Sequence, residues 1–469
     1  MFTTRSQVWT ITTQYLDRYR SRASGAAADA DRPLPVTGAQ RRFLLARHLS
    51  PHGRADLVPL FFRFPRNSLD PRRLDAAAAY VAAGHPVLRS RPAVLGGVPV
   101  LLPGGPQEPG AYVARLGGPD RAPGGRGEGE GGGGARAGEL LPAALAGWGE
   151  GPPLRLLLAP ADGGEGGEEH EVLALVMDHA VCDERSIGRI IADLSEGYTH
   201  GLGPDDLPAA RAREALCAYR GAVHAQLARE EAASGPAALA HWADRLSGLA
   251  AADGRAGAPG AADGGSDVLS ARLPGRPGGG DPGRGGGTAL RFPALLAACD
   301  RAARVLYGRG PRGPAPLLGY AWGGRPEGAE DVVGAFLNTV PFLAPPTTGH
   351  RAGTDADAVV EPWCADLEHA DTPFDEIVRA ARRAGLPWPG RFDGLLTFED
   401  RGLRPALRLG AVTGVETHVD GRPLQAPLTV ALAHGADARV RMAWERAAFP
   451  DGAPEAAFTA LLAALPPGA

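Results

Sequence analysis

The sequence contains no lysine, since all 49 of its basic residues are arginines. This excludes every mechanism that depends on a lysine amine, including a Schiff base with a carbonyl substrate and the lysine of a phosphate-binding loop. The 53 acidic residues leave a formal net charge of −4, so no broad basic surface is expected. We therefore expect no nucleic acid among the partners of this protein.

Cysteine is also scarce, and the four cysteines, Cys182, Cys217, Cys299 and Cys364, lie far apart without a CxxC pair. This distribution favours a reducing compartment and argues against a structural zinc site. We expect neither a metal nor a bound cofactor in this protein. The N-terminus lacks the apolar core of a signal peptide, and no run approaches the roughly 18 apolar residues of a membrane span. The sequence therefore predicts a cytoplasmic protein without membrane contact.

The chain of 469 residues is long enough for two or three domains of about 100–200 residues each. Two glycine-rich stretches, residues 103–137 and 254–287, interrupt it. A phosphate-binding loop is not favoured in the first, because Glu128 and Glu130 lie inside it, and we interpret both stretches as surface insertions. Predicted strands and helices recur in both halves of the chain, which indicates an α/β fold. We expect a lead-in and linker over residues 1–35, an N-terminal lobe over 36–203 and a C-terminal lobe over 204–469.

The stretch MDHAVCDERS, residues 177–186, is predicted to form a strand-to-helix turn. An apolar run over residues 172–176 precedes it, and an apolar helical face follows it. The imidazole of His179 titrates near neutral pH and can exchange protons, while Asp183 is suited to capping the start of the helix. Two interpretations fit this stretch alone. His179 is either a catalytic base beside a structural acid or a surface histidine beside an ordinary capping aspartate.

Further segments resemble, in the same order, the motifs of the condensation domains of nonribosomal peptide synthetases, which belong to the chloramphenicol acetyltransferase-like acyltransferases. The resemblance spans about residues 36–465. The matching segments are residues 37–42 (TGAQRR, similar to SxAQxR), 84–90 (GHPVLRS, similar to RHxxLRT), 178–186 (DHAVCDERS, similar to HHxxxDGxS), 241–248 (HWADRLSG, similar to W…LxG), 333–339 (VGAFLNT, similar to VGxFVNT) and 369–375 (HADTPFD, similar to HQDxPFE).

This resemblance implies two chloramphenicol acetyltransferase-like lobes that form a V-shaped pseudo-dimer around a central substrate tunnel. His179 matches the catalytic histidine of the family, and Asp183 matches its structural aspartate. Arg89 matches an arginine that is expected to pair with Asp183, because a buried carboxylate needs such a partner. Supporting roles at the site are further implied for Ser186 at the end of the motif and for Asn338 and Thr339 at the lobe junction.

The sequence departs from the family motif at Asp178, which replaces its first histidine, and at Glu184, which replaces its glycine. Asp178 is either a harmless replacement or a sign of altered chemistry, since Asp178, Asp183 and Ser186 also fit the DxxxxDxxS motif of heterocyclization domains. Those domains lack a histidine at the second position, so His179 favours simple acyl transfer. Glu184 and the following arginine either begin the helix or narrow the acceptor side, and the sequence does not decide between these roles.

Acyl transfer from a thioester requires a nucleophile that has lost its proton, and His179 can remove that proton. Direct transfer is favoured over a covalent acyl-enzyme, because the sequence has no GxSxG elbow and none of its four cysteines lies in a recognisable nucleophile motif. Cys182 is expected to be a small buried residue. Without an adenylation or carrier motif, we predict a monomeric condensation enzyme that is either free-standing, which we favour, or one domain of a larger synthetase. It would transfer an acyl or aminoacyl group from the phosphopantetheine arm of a carrier protein to a small-molecule or carrier-bound amine or hydroxyl.

Three alternatives remain open for the predicted condensation enzyme. One is a coenzyme A-dependent acyltransferase of the same superfamily, although the DFGWG motif that some of these enzymes carry is absent. Another is a heterocyclization-type variant. The last is a catalytically degenerate domain that only recruits partner proteins to a carrier.

Overall fold

Two mixed β-sheets with helices packed against them carry the fold. The computed structural model describes residues 10–23, 32–49, 56–105, 108–116, 137–146, 151–161, 169–249, 265–273, 292–310, 313–345, 354–386, 388–419, 421–422, 424–434 and 438–465. Among these residues, no helix has both the length and the apolar character needed to cross a bilayer.

The strands are β1 Leu57–Pro65, β2 Arg91–Leu95, β3 Val98–Leu102, β4 Ala111–Arg115, β5 Leu154–Ala161, β6 His170–Asp178, β7 Ser266–Leu273, β8 Leu317–Trp322, β9 Asn338–Leu343, β10 Gly394–Asp400, β11 Arg408–Leu409, β12 Val412–Thr413, β13 Val415–Thr417, β14 Leu428–His434 and β15 Ala438–Glu445. The helices are α1 Ile11–Ala23, α2 Gly38–Leu49, α3 Pro71–Gly84, α4 Leu140–Leu145, α5 Glu184–His200, α6 Ala209–Ala232, α7 Pro236–Ser247, α8 Phe292–Leu306, α9 Thr354–Leu367, α10 Phe374–Arg383 and α11 Ala453–Ala464.

The N-terminal sheet has the strand order β13-β1-β6-β5-β4. Strand β6 lies between β1 and β5 and is antiparallel to both. Its continuous apolar sequence fits this central position, because the side chains that alternate along it pack into two separate cores. Leu173 and Leu175 contribute to the core with α3 and α5, whereas Ala174 and Val176 contribute to the core with α4. The strand-to-helix turn predicted at residues 177–186 therefore follows the most deeply buried strand of this sheet.

The C-terminal sheet has the order β7-β15-β14-β10-β8-β9. One face is covered by helices, and the alternation along β15 shows which face this is. Val440, Met442 and Trp444 are buried in the core that includes residues of α8 and α11, whereas Arg439 and Arg441 alternate with them on the opposite face.

One segment of the chain leaves the C-terminal sheet and joins the N-terminal sheet. We call residues 401–427 the crossover segment, of which 420 and 423 lie outside the described residues. Its strand β13 pairs antiparallel with β1, with Phe61 opposite Thr417. The chain then returns to the C-terminal sheet as β14, which is parallel to β10. The crossover segment thus brings C-terminal residues to the edge of the N-terminal sheet.

The division expected at residues 203 and 204 does not coincide with the division between the two large cores. Helix α6 lies after it, yet Tyr219, Val223 and Leu227 are buried in the core of the N-terminal sheet. Helix α1, within the expected lead-in, packs into the same core through Tyr15 and Leu16. Both helices pack on the N-terminal sheet because their apolar side chains require burial and this sheet offers an apolar surface.

The interpretation of the two glycine-rich stretches as plain insertions is wrong in part. Strand β4 lies in the first and pairs with β5, while β7 lies in the second and pairs with β15. Glycine also has a packing role in the first stretch, because a Cβ atom on Gly110 would lie 2.7 Å from the Cβ atom of Ala82. Both strands lie at sheet edges, where burial is incomplete and the apolar pattern is weak.

Candidate active site

The predicted strand-to-helix turn lies between the end of β6 at Asp178 and the start of α5 at Glu184. Asp183 is the N-cap of α5, and its Oδ1 accepts the backbone N–H of Ser186 at 2.9 Å. The backbone N–H of His179 donates to the Asp56 carbonyl at 3.0 Å, which attaches the turn to the start of β1. The turn is therefore fixed by hydrogen bonds on both sides of His179.

His179 is half-buried, and its ring stacks on Phe43 of α2 with 4.9 Å between the ring centroids. Nδ1 lies 3.2 Å from the Cys182 carbonyl oxygen. A carbonyl only accepts, so Nδ1 carries the proton and Nε2 retains the lone pair. Burial lowers the pKa of His179, and the positive charge of Arg422 lowers it further. The imidazole is therefore neutral near pH 7, which is the form that can accept a proton from a nucleophile.

Asp183 is fully engaged as a structural carboxylate. Arg325, from the loop after β8, binds both of its oxygens, with 3.2 Å between Nε and Oδ2. Oδ2 also accepts the backbone N–H of Phe336 at 3.1 Å. Oδ1 lies 3.0 Å from Ser186 Oγ. With donors from α5 and from the C-terminal part of the chain, this carboxylate joins the turn to the segment before β9 and is not available as a base.

The expected pairing of Arg89 with Asp183 is wrong. Arg89 lies in a short 3₁₀ helix, Pro86–Arg89. It is buried, and within the described residues its Nε and Nη1 atoms have no hydrogen-bond partner. Arg325 supplies the charge that the buried carboxylate requires. In the sequence, Arg325 follows directly after a buried apolar strand and shortly precedes the motif at residues 333–339. This position could have indicated Arg325 as a partner of Asp183.

Asp178, which replaces the first histidine of the motif, forms an ion pair with Arg47 of α2 at 2.7 Å. Its Oδ1 also accepts the backbone N–H of Ala180 at 2.9 Å. Asp56 lies nearby, and burial raises the pKa of its carboxyl group to about 6. The Asp178 side chain thus closes the turn through hydrogen bonds, with a cation that balances its charge.

Glu184, which replaces the glycine of the motif, binds Arg404 of the crossover segment through two hydrogen bonds of 2.6 and 2.8 Å. Burial raises the pKa of Glu184, and the hydrogen bonds and charge of Arg404 oppose this effect. Arg404 also lies 3.3 Å from Glu399. Arg185 is exposed. Glu184 therefore connects the start of α5 to the crossover segment, in addition to occupying the first helical position.

Asn338 and Thr339 brace the junction at the start of β9. Asn338 Nδ2 donates to the carbonyls of Ala370 and Thr372 at 2.8 and 2.6 Å, and its Oδ1 accepts the backbone N–H of Phe374 at 3.1 Å. Thr339 Oγ1 accepts a hydrogen bond from Arg42 at 3.0 Å. Ser186 Oγ accepts the backbone N–H of Gly334 at 3.0 Å, which adds a contact between α5 and the segment before β9.

Cys182 is completely buried, and its Sγ atom lies 3.4 Å from the Asp178 carbonyl oxygen. Burial raises the pKa of this thiol, and the negative charge of Asp183 adds to the effect. A thiol that stays protonated is a poor nucleophile. No three His, Cys, Asp or Glu side chains of the described residues come together as metal ligands.

The sequence did not single out Phe43, Arg47, Arg404 or Arg422. Phe43 and Arg47 lie on α2, four residues apart, and so on one side of that helix. A helical-face analysis could have found this pair as one group. Arg404 and Arg422 lie in the crossover segment, where no strand exceeds 3 residues, so no periodicity marks them.

No protein-family profile matches the sequence, and no curated protein matches it at a significant level. Solved structures do match. The chain is similar to the X-domain from teicoplanin biosynthesis, with a TM-score of 0.60 and 18% identity, over 95% of this chain and 97% of that chain. A second structure contains that X-domain in complex with OxyB.

Two further solved structures are similar to this chain over most of its length. The starter condensation domain of the rhizomide synthetase RzmA, a double mutant in complex with C8-CoA, has a TM-score of 0.59 and 14% identity over 92% of this chain and 93% of that chain. SgcC5 from Streptomyces globisporus has a TM-score of 0.59 and 17% identity over 92% of this chain and 97% of that chain. The chain therefore has the condensation-domain fold, and the predicted α/β class is confirmed.

Proposed function

We propose that this protein transfers an acyl or aminoacyl group from the phosphopantetheine thioester of a carrier protein to an amine or hydroxyl acceptor, in the biosynthesis of a natural product. The observation that carries the proposal is the state of His179. Its Nδ1 is fixed on the Cys182 carbonyl, and burial keeps the ring neutral, so Nε2 is ready to accept a proton. The surrounding carboxylates Asp178, Asp183 and Glu184 are each engaged by an arginine.

The proposed reaction needs no group beyond the two substrates and this imidazole. The acceptor nitrogen or oxygen attacks the thioester carbonyl while His179 Nε2 takes its proton. The tetrahedral intermediate then collapses, the carbon–sulfur bond breaks, and His179 returns the proton to the departing thiolate. An amide or ester and a free thiol result. The buried, protonated thiol of Cys182 supports direct transfer over an acyl-enzyme.

The test replaces His179 with alanine and measures product formation from an acyl-carrier protein and an amine by mass spectrometry. Loss of a general base is expected to lower kcat about 100-fold or more. His200→Gln, at the exposed end of α5, is the matched control and should retain activity. Full turnover by His179→Ala would overturn the proposal. Acyl-coenzyme A offered in place of the acyl-carrier protein decides between the two donor classes.

A second candidate function is recruitment of a partner protein without catalysis. It is favoured by Asp178 and Glu184, two carboxylates that stand where the motif has a histidine and a glycine and that are held by Arg47 and Arg404. The X-domain that matches this fold has been seen in complex with OxyB, which makes a protein partner a relevant comparison. Tight binding of a carrier protein, with no product from any donor, would support recruitment over acyl transfer.

A further inference from the structure

Arg422 reaches the immediate surroundings of the active-site turn from the crossover segment. Its Nη2 donates to the carbonyl of Leu57, the first residue of β1, at 3.3 Å. The preceding residue, Asp56, accepts the backbone N–H of His179 through its own carbonyl. Leu57 also lies directly opposite Asp178 in the strand register. The guanidinium of Arg422 and the backbone of His179 are thus hydrogen-bonded to consecutive residues at the start of one strand.

Arg422 differs from the other arginines of the site because no carboxylate neutralises it. Arg47, Arg325 and Arg404 each form an ion pair with an acid of the turn. Within the described residues, the guanidinium of Arg422 makes one hydrogen bond, to the carbonyl of Leu57, and its remaining donors have no partner. The residue is exposed. The negative charge of Glu399 favours the protonated form of Arg422, but the carboxylate of Glu399 lies 3.3 Å from Arg404 and forms its ion pair there.

A free guanidinium edge next to a neutral imidazole suits a substrate that carries a carboxylate. Two parallel N–H donors match the two oxygens of a carboxylate. Nη2 carries two hydrogens, and the hydrogen bond to Leu57 uses one of them. The other still forms a two-donor edge for a ligand, together with Nε or with Nη1. A cation beside the site also favours loss of a proton from an ammonium group, because the positive charge destabilises the protonated form.

We propose that the acceptor is a free amino acid or a similar amine that carries a carboxylate, and that Arg422 binds this carboxylate while the amine faces His179. The inference rests on the proposed function and narrows it, since it names the class of acceptor. A carboxylate on Arg422 and an amine at Nε2 of His179 would orient the nucleophile through two points. Carrier-bound acceptors, whose carboxyl group is already a thioester, would not use this contact.

Equilibrium binding tests the proposal without a donor. The probes are the common L-amino acids, each paired with its primary carboxamide, and calorimetry follows a first screen by thermal shift. At least one acid should bind, and its carboxamide should bind about tenfold or more weakly, because the charge-assisted hydrogen bonds are lost. Arg422→Gln should abolish the difference, Arg422→Lys should restore part of it, and Arg439→Gln, which removes a charge from the C-terminal sheet, should change nothing.

The outcomes that would overturn the inference are equally definite. They are a carboxamide that binds as tightly as its acid, an acid that binds Arg422→Gln as tightly as the wild type, or no acid that binds at all. A fourth is a kcat loss in Arg422→Gln of equal size for acceptors with and without a carboxylate, which would assign Arg422 to the developing oxyanion.

Failure of the inference can be separated from failure of the proposed function. His179→Ala should still bind the acid in preference to its carboxamide, while product formation is lost. If His179→Ala turned over normally, the proposed function would fail, and the binding data would still decide the role of Arg422. NMR titration of the imidazole gives an independent readout, since Arg422→Gln should raise the pKa of His179 when the nearby positive charge is removed.

Discussion

Asp183 and Arg325 form an ion pair that links the cap of α5, at the end of the strand-to-helix turn, to the loop that precedes β9. The two side chains are only 9% and 5% exposed, respectively, so each is the counterion that the other needs in a buried setting. The pair lies 142 residues apart in sequence. Through it, the position of His179 depends on the C-terminal part of the chain.

Removal of one partner of this pair should be strongly destabilising. Arg325→Gln leaves the buried Asp183 carboxylate without its cation, and we expect a loss of about 3–5 kcal/mol in the free energy of unfolding. Asp183→Asn should cost less in the Arg325→Gln background than in the wild type. Urea denaturation of the four proteins of this double-mutant cycle measures the coupling.

Arg89→Gln is the control for that cycle, because Arg89 is buried but does not contact Asp183. Its effect should add to that of Asp183→Asn without coupling. Coupling between Asp183 and Arg89, with none between Asp183 and Arg325, would contradict the observed pairing.

Asp178 is expected to contribute to stability more than to chemistry. Asp178→Asn keeps an acceptor for the Ala180 N–H but loses the charge that pairs with Arg47, so we expect a cost of about 1 kcal/mol with most of the turnover retained. Asp178→His restores the family residue but leaves Arg47 beside a group that cannot neutralise it, and it should cost more. If Asp178→Asn lost activity to the extent of His179→Ala, Asp178 would take part in the reaction.

The four cysteines should separate into two classes of reactivity. Cys217 and Cys364 are exposed, whereas Cys182 and Cys299 are buried and burial raises the pKa of both of these thiols. In the native protein, a thiol reagent at pH 8 should label two residues rapidly and the other two only on unfolding. Peptide mapping identifies them. Rapid labelling of Cys182 in the folded protein would contradict its burial and make a covalent acyl-enzyme mechanism possible again.

Glu230 should make stability depend on pH near neutrality. This buried residue accepts the Gly38 N–H at 3.0 Å, beside Arg41 and Asp375, and burial raises its pKa to about 7 from 4.5. The folded state therefore holds this proton more tightly than the unfolded state. The resulting stabilisation is complete below about pH 4.5 and is lost as the pH rises through about 7.

Glu230→Gln cannot ionise, so its stability relative to the wild type should improve between about pH 5 and about pH 8. Urea denaturation at both pH values measures this change. Glu231→Gln, on the exposed side of the same helix, should show no such trend. A difference between Glu230→Gln and the wild type that stayed constant across this range would show that Glu230 does not titrate there.

Local features of the site could be predicted from the sequence, whereas its long-range partners could not. The turn and its cap depend on neighbouring residues, and the apolar positions Ile187 and Ile190 follow the helical period. The partner of Asp183 depends on how distant segments pack, so the motif resemblance suggested Arg89 where the fold supplies Arg325. Strands β4 and β7 were missed because glycine dominates their surroundings and edge strands have little apolar alternation.

The crossover segment makes the two halves of this protein inseparable as working units. Without β13, strand β1 would become an open edge of the N-terminal sheet, with unpaired backbone groups that invite association with other chains. A truncation before residue 401 would also remove Arg404 and Arg422 from the turn. A chimaera that exchanges C-terminal halves would replace both arginines together with the crossover segment that carries them to the turn. Its acceptor preference should therefore be that of the protein that supplied the C-terminal half.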